Sequence, residues 1–96
     1  MQVRLVVTIT AAPGKGGELA AIYRGRCADV MREPGCEQFE VFQSAVNPDR
    51  LVLLERWVDQ AALDVHAKVN ATRAPLPPGL RAGSGEREDY EYKRNR

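Results

Sequence analysis

Cys36-Glu37-Gln38-Phe39-Glu40-Val41-Phe42-Gln43-Ser44, the turn Asn47-Pro48-Asp49 and Leu51-Val52-Leu53-Leu54-Glu55-Arg56-Trp57 decide the fold. Two extended runs rich in aromatic and β-branched residues flank residues that favour chain reversal, so they read as an antiparallel hairpin. Upstream, Glu33-Pro34-Gly35 ends a helix over about 18–32, because the residue before proline is pushed out of helical geometry. In that helix Leu19, Ile22, Tyr23, Cys27, Val30 and Met31 recur at three- and four-residue steps. Further back, residues 2–10 alternate, with Val3, Leu5, Val7 and Ile9 on one face and Arg4, Val6, Thr8 and Thr10 on the other. Downstream, Asp59 is placed to cap a second helix over 60–69. Residues 74–87, rich in proline and glycine, should be irregular, and 88–94 form a final polar strand with Tyr90 and Tyr92 on one face. The order β-α-β-β-α-β predicts an α+β, ferredoxin-like domain over 1–96: a four-stranded antiparallel sheet with two helices on one face.

Composition narrows the function classes. Ninety-six residues suit one domain. Fourteen basic against thirteen acidic residues leave a net charge of +1, which gives no electrostatic reason to expect nucleic acid or an anionic membrane as partner. No apolar run approaches the roughly 20 residues of a membrane span, and Met1 leads into a strand-like stretch without a basic start and apolar signal core. Cys27 and Cys36 lack metal-ligand spacing and are too few for a disulfide framework, so we expect reduced thiols in the cytoplasm. Cys36 reads as a small buried hydrophobe, since no histidine or basic cluster lies near it in sequence.

Three local signals point further. Ala12-Pro13-Gly14 after the first strand, Glu33-Pro34-Gly35-Cys36 entering the second, and Leu54-Glu55-Arg56-Trp57 running on to Ala62-Leu63 and His66 resemble the antibiotic biosynthesis monooxygenase family. The resemblance runs in register from about Val3 to Val69. It implies a dimeric α+β barrel, in which two such sheets face each other with helices outside. It also implies oxidation of a quinol, an anthrone or a related polycyclic phenol by molecular oxygen, with neither metal nor flavin. Consistent with that, the sequence has no glycine-rich nucleotide loop and a single histidine, so we expect no cofactor and no metal. Such a substrate is its own reductant once deprotonated, and the protein must supply an apolar pocket, a base and a way to hold the anion.

His66 is the candidate catalytic base, because only histidine has an unperturbed pKa near neutrality. With Ala62 and Val69 it follows steps of four and three on one helix stripe. The competing reading is a packed histidine bonded to a backbone carbonyl or to Glu55. Trp57 shares a strand face with Glu55, Leu53 and Leu51, and is read either as a pocket wall that stacks on a planar substrate or as the largest core side chain. Glu55 between apolar neighbours needs a partner, for which His66 or an arginine would serve, and a structural ion pair is favoured over catalysis. Arg26 falls among Ile22, Tyr23 and Val30, where the family usually has an apolar residue. It either snorkels to water or enters the pocket to hold a phenolate or carboxylate. Tyr23 and Thr8 complete the candidate substrate-binding set, with packing or sheet pairing as the simpler alternative for both. Phe39 and Phe42 should point to opposite faces of their strand. A second departure is that Ala71 stands about where many members carry another histidine, and the Pro-rich loop replaces a segment that is often helical.

Homodimerisation is expected from the resemblance and from the row Val3, Leu5, Val7 and Ile9, which a lone sheet would leave partly exposed. Rival readings are weaker or different in kind. An RNA-recognition module needs exposed aromatic and basic residues on the central strands, which Leu51-Val52-Leu53-Leu54 does not supply. A haem-degrading relative would want an asparagine near Thr8 and a histidine beyond the second helix, and neither is present. The alternative of another class is a non-catalytic dimeric protein that binds a hydrophobic aromatic metabolite.

Overall fold

The computed structural model describes residues 1–95. Strand β1 spans Val3–Thr10, helix α1 Gly16–Val30, β2 Cys36–Gln43, β3 Arg50–Trp57, α2 Gln60–Asn70 and β4 Glu86–Glu91. The four strands form one antiparallel sheet in the order β2-β3-β1-β4, and both helices lie on one face. Helix α1 begins two residues earlier than the apolar periodicity indicates, and β4 occupies 86–91 where the sequence points to 88–94. No helix among the described residues is long and apolar enough to cross a membrane.

Register decides which face is the core. Leu5 pairs with Glu55 and Val3 with Trp57, while Phe39 pairs with Glu55 across the other ladder. Paired residues share a face, so the odd-numbered residues of β1 lie with Leu51, Leu53, Glu55 and Trp57 under the helices. Leu5 and Ile9 are buried there with Leu19, Tyr23, Val30 and Leu63. This corrects the expectation that the row Val3, Leu5, Val7, Ile9 supplies a surface for a second copy: the protein's own helices cover it. The open face carries Arg4, Val6, Thr8, Val52, Leu54 and Phe42 instead, and Phe42 is 47% exposed while Phe39 is buried.

Two contacts fix the helix that forms one side of the site. The residue before α1, Lys15, offers no side-chain cap, and Asp49 from the hairpin turn takes over that role. Its two carboxylate oxygens accept from the backbone N–H groups of Gly14 and Gly16, both at 2.9 Å, satisfying donors that a helix start leaves unpaired. The approach is so close that a Cβ on Gly16 would stand 1.9 Å from the Pro48 carbonyl oxygen, so only glycine fits. At the other end, Gly35 turns the chain with φ of 80°, and its carbonyl accepts from the Val58 N–H at 2.8 Å. Helix α2 is capped as the sequence indicates, with Asp59 accepting from the Ala62 N–H at 2.8 Å. Beyond α2 the connection is irregular but tied down: Leu80 is buried, its carbonyl accepts from Ala12 N–H, and Ala82 N–H donates to the Thr10 carbonyl.

Candidate active site

A cavity of about 640 Å³ opens between the helices and the sheet, within the range that holds a small-molecule ligand. Val7, Phe39, Leu53 and Glu55 form its floor, Tyr23 and Arg26 of α1 one wall, and His66 and Asn70 of α2 another. Arg73, residues 74–79 and Arg81 border it on the loop side. Arg26 ties this loop to α1, its Nη2 donating to the Ala74 carbonyl at 2.9 Å.

His66 is buried and held on two sides. Its ring lies 4.6 Å from the Trp57 ring, centroid to centroid, and 5.7 Å from Phe39. Its Nδ1 is 2.9 Å from Glu33 Oε1, and Arg73 Nη2 donates to Glu33 Oε2 at 2.7 Å. Arg73, Glu33 and His66 therefore form a relay that ends in the cavity wall. Its middle carboxylate comes from the turn that closes α1, and its arginine from just beyond α2. The two charged bonds are well shielded, with side-chain exposures of 9% for His66, 12% for Glu33 and 19% for Arg73.

Glu55 has a different neighbour from the one the sequence suggests. Its Oε1 accepts from the Trp57 indole Nε1–H at 3.0 Å, and no cation lies within ion-pair distance of it among the described residues. Burial pushes its carboxyl above the usual range, outweighing the Trp57 bond and the charges of His66 and Arg87. Burial likewise pushes the Tyr23 phenol upward, against the pull of Arg81 and Arg26. The Cys36 thiol rises to about 11, through burial and then the nearby Glu33 and Glu55 carboxylates, in keeping with an inert thiol. Among the described residues no three His, Cys, Asp or Glu side chains gather closely enough to hold a metal ion.

The model of the antibiotic biosynthesis monooxygenase family matches residues 2–74. The chain belongs to that family. Among solved structures it is similar to protein PA3566 from Pseudomonas aeruginosa, with 26% identity, a TM-score of 0.80 and coverage of 97% of this chain and 95% of that one. Protein SO0527 from Shewanella oneidensis is 29% identical, with a TM-score of 0.77 over 93% of this chain and 88% of that one. A crystal structure of an antibiotic biosynthesis monooxygenase shares the fold at 20% identity, with a TM-score of 0.72 over 96% of this chain and 99% of that one. Among curated proteins none matches.

In this member of the antibiotic biosynthesis monooxygenase family the structure brings His66, Glu55, Arg26 and Tyr23 to one cavity. Two of the sequence-named residues stand elsewhere. Trp57 is fully buried, packed on the His66 ring and bonded to Glu55, and is not among the side chains that line the cavity. Thr8 lies on the opposite face of the sheet, because it pairs with Val52 and not with the face of Glu55. Glu33, Arg73 and Arg81 were not singled out. One signal for Arg73 is present: His66, Asn70 and Arg73 follow steps of four and three, a truer inward stripe than His66 with Val69, which is 40% exposed. Nothing in sequence ties Glu33 to His66 across 33 positions.

Proposed function

We propose that this protein is a cofactor-independent monooxygenase that oxidises an electron-rich phenolic polycycle, of the quinol or anthrone class, with molecular oxygen. The observation that carries the reading is the buried imidazole in the wall of a half-open cavity, with its Nδ1 engaged by Glu33. When Nδ1 donates to that carboxylate, Nε2 keeps its lone pair and accepts the phenolic proton of the substrate. Glu33 then balances the imidazolium, and Arg73 holds Glu33 in place. Family membership supports oxygen as the second substrate.

The deprotonated substrate supplies the electrons itself. One electron passes to dioxygen, and the resulting radical pair joins in a C–O bond to give a peroxide. The imidazolium returns its proton to the outer peroxide oxygen, the O–O bond breaks, and the remaining C–H proton leaves as the carbonyl forms. For an anthrone methylene the balance is CH2 + O2 → C=O + H2O. A homodimer belongs to the same reading: the open face bares Phe42 beside Val6, Val52 and Leu54, and a second sheet laid on it would complete a barrel.

Oxygen uptake by metal-free protein with a panel of quinols and anthrones tests the proposal. We expect a rate above background that falls about 10²- to 10⁴-fold in His66→Ala, the usual contribution of a positioned base. Wild-type protein that binds these aromatics and consumes no oxygen would instead be a binding protein for an aromatic metabolite. Activity that survives His66→Ala unchanged would sink the assignment of the base.

A further inference from the structure

Resting on the proposed oxygenation of an aromatic, we propose that the substrate carries a carboxylate, held by Arg26 and Arg81 at the end of the cavity bounded by Tyr23. Arg26, Arg81 and Tyr23 all line the cavity, and the charges of both arginines reach the Tyr23 phenol. Among the described residues no carboxylate lies within 4.0 Å of either guanidinium. Arg73, the third arginine of the wall, is already matched to Glu33. Among the described residues the only acid in the lining is Glu55, whose Oε1 is engaged by the Trp57 indole and not by either arginine. The cavity therefore presents two arginines, neither of them in an ion pair within the described residues.

Arg26 is not spent on its present contact. A guanidinium has five N–H donors in a planar fork, and Arg26 uses one of them on the Ala74 carbonyl. It is half-buried on α1 and lines the cavity together with Tyr23. Arg81 is exposed but placed: the backbone on either side of it is fixed by the Leu80 carbonyl to Ala12 and by Ala82 N–H to Thr10. Two guanidinium forks in one cavity lining, one from a helix and one from a pinned loop, suit a carboxylate, whose two oxygens accept paired N–H bonds. An uncharged polycycle would leave both cations facing apolar rings.

The test is equilibrium binding without turnover. Anthraquinone-2-carboxylate and anthraquinone-2-carboxamide are titrated into the protein, with quenching of Trp57, the only tryptophan, as the signal. We expect the carboxylate to bind at least about tenfold tighter, as charge-assisted bonds at a partly hydrated site give. That preference should shrink with added salt and vanish in Arg26→Gln/Arg81→Gln, while Arg26→Lys/Arg81→Lys keeps part of it. Equal affinity for the two probes, no binding of either, or a preference that persists in the glutamine double variant with a native circular dichroism spectrum would overturn the inference. Oxygen uptake separates this from the function itself. Turnover of uncharged anthrones with no carboxylate preference refutes the anion site alone, and a carboxylate preference without oxygen uptake refutes only the oxygenase.

Discussion

Replacing Glu33 with glutamine keeps the shape of the relay and removes its charge. The consequence follows from the donor inventory. Arg73 Nη2, 2.7 Å from one oxygen, can only donate, so the amide must turn its oxygen toward Arg73 and its NH2 toward His66 Nδ1. Nδ1 then has to accept, which moves the ring proton to Nε2 and deprives the cavity of its base. We expect kcat for the best quinol or anthrone to fall about 10²- to 10⁴-fold, comparable with loss of the imidazole itself. Stability should fall as well. Glu33→Ala removes both well-shielded bonds, and at the lower end of roughly 1.5–3 kcal/mol for each bond to a charged group the loss is about 3 kcal/mol. For a domain of this size that is a Tm decrease of about 10–20 °C. Oxygen-electrode kinetics and thermal unfolding followed by circular dichroism read the two effects. A Glu33→Gln protein with wild-type kcat, where His66→Ala is inactive, would refute the idea that the carboxylate sets the tautomer.

Two further outcomes are expected. Burial raises the Glu55 carboxyl pKa, so the folded state binds its proton more tightly than the unfolded chain does. Stability therefore falls as pH rises from the unfolded carboxylate range through the folded pKa, by about 1.4 kcal/mol for each unit of separation, and Glu55→Gln should flatten that part of a urea-midpoint profile; an unchanged slope in the variant would show that Glu55 is not its source. Sedimentation should give twice the single-chain mass for wild type and the single-chain mass for Phe42→Asp, whose charge would stand on the open face in place of its exposed aromatic ring, on the edge strand β2. A wild-type monomer at micromolar concentration would refute the barrel.

Strand order and element types were legible because alternation and proline–glycine breaks act locally. Val3 to Thr10 alternates whatever it pairs with, and Pro34 ends a helix wherever it packs. Which face the helices would cover was not legible, because that depends on register between β1 and β3. Once Leu5 pairs with Glu55, the even-numbered Thr8 is committed to the open face and the apolar row to the core. The site divides along the same line. That His66, Arg26 and Tyr23 face the helix–sheet layer was legible because each stands on an amphipathic stripe, and all three line the cavity. Glu33 was missed because a glutamate before proline in a turn looks like a solvated residue, and only the folded chain brings it to the imidazole. Glu55 was marked correctly as a carboxylate in need of a partner, yet an indole two residues along its own strand met that need without any cation.

The parts that would handle a proton and the parts that would admit a ligand come from different kinds of chain. Glu33 and His66 are braced by helix ends and the aromatic core, whereas the loop bordering the cavity is a short run of prolines fastened at Ala74 and Leu80. Grafting a different segment between those two fastenings would change what the chamber accepts while the acid–base pair keeps its footing.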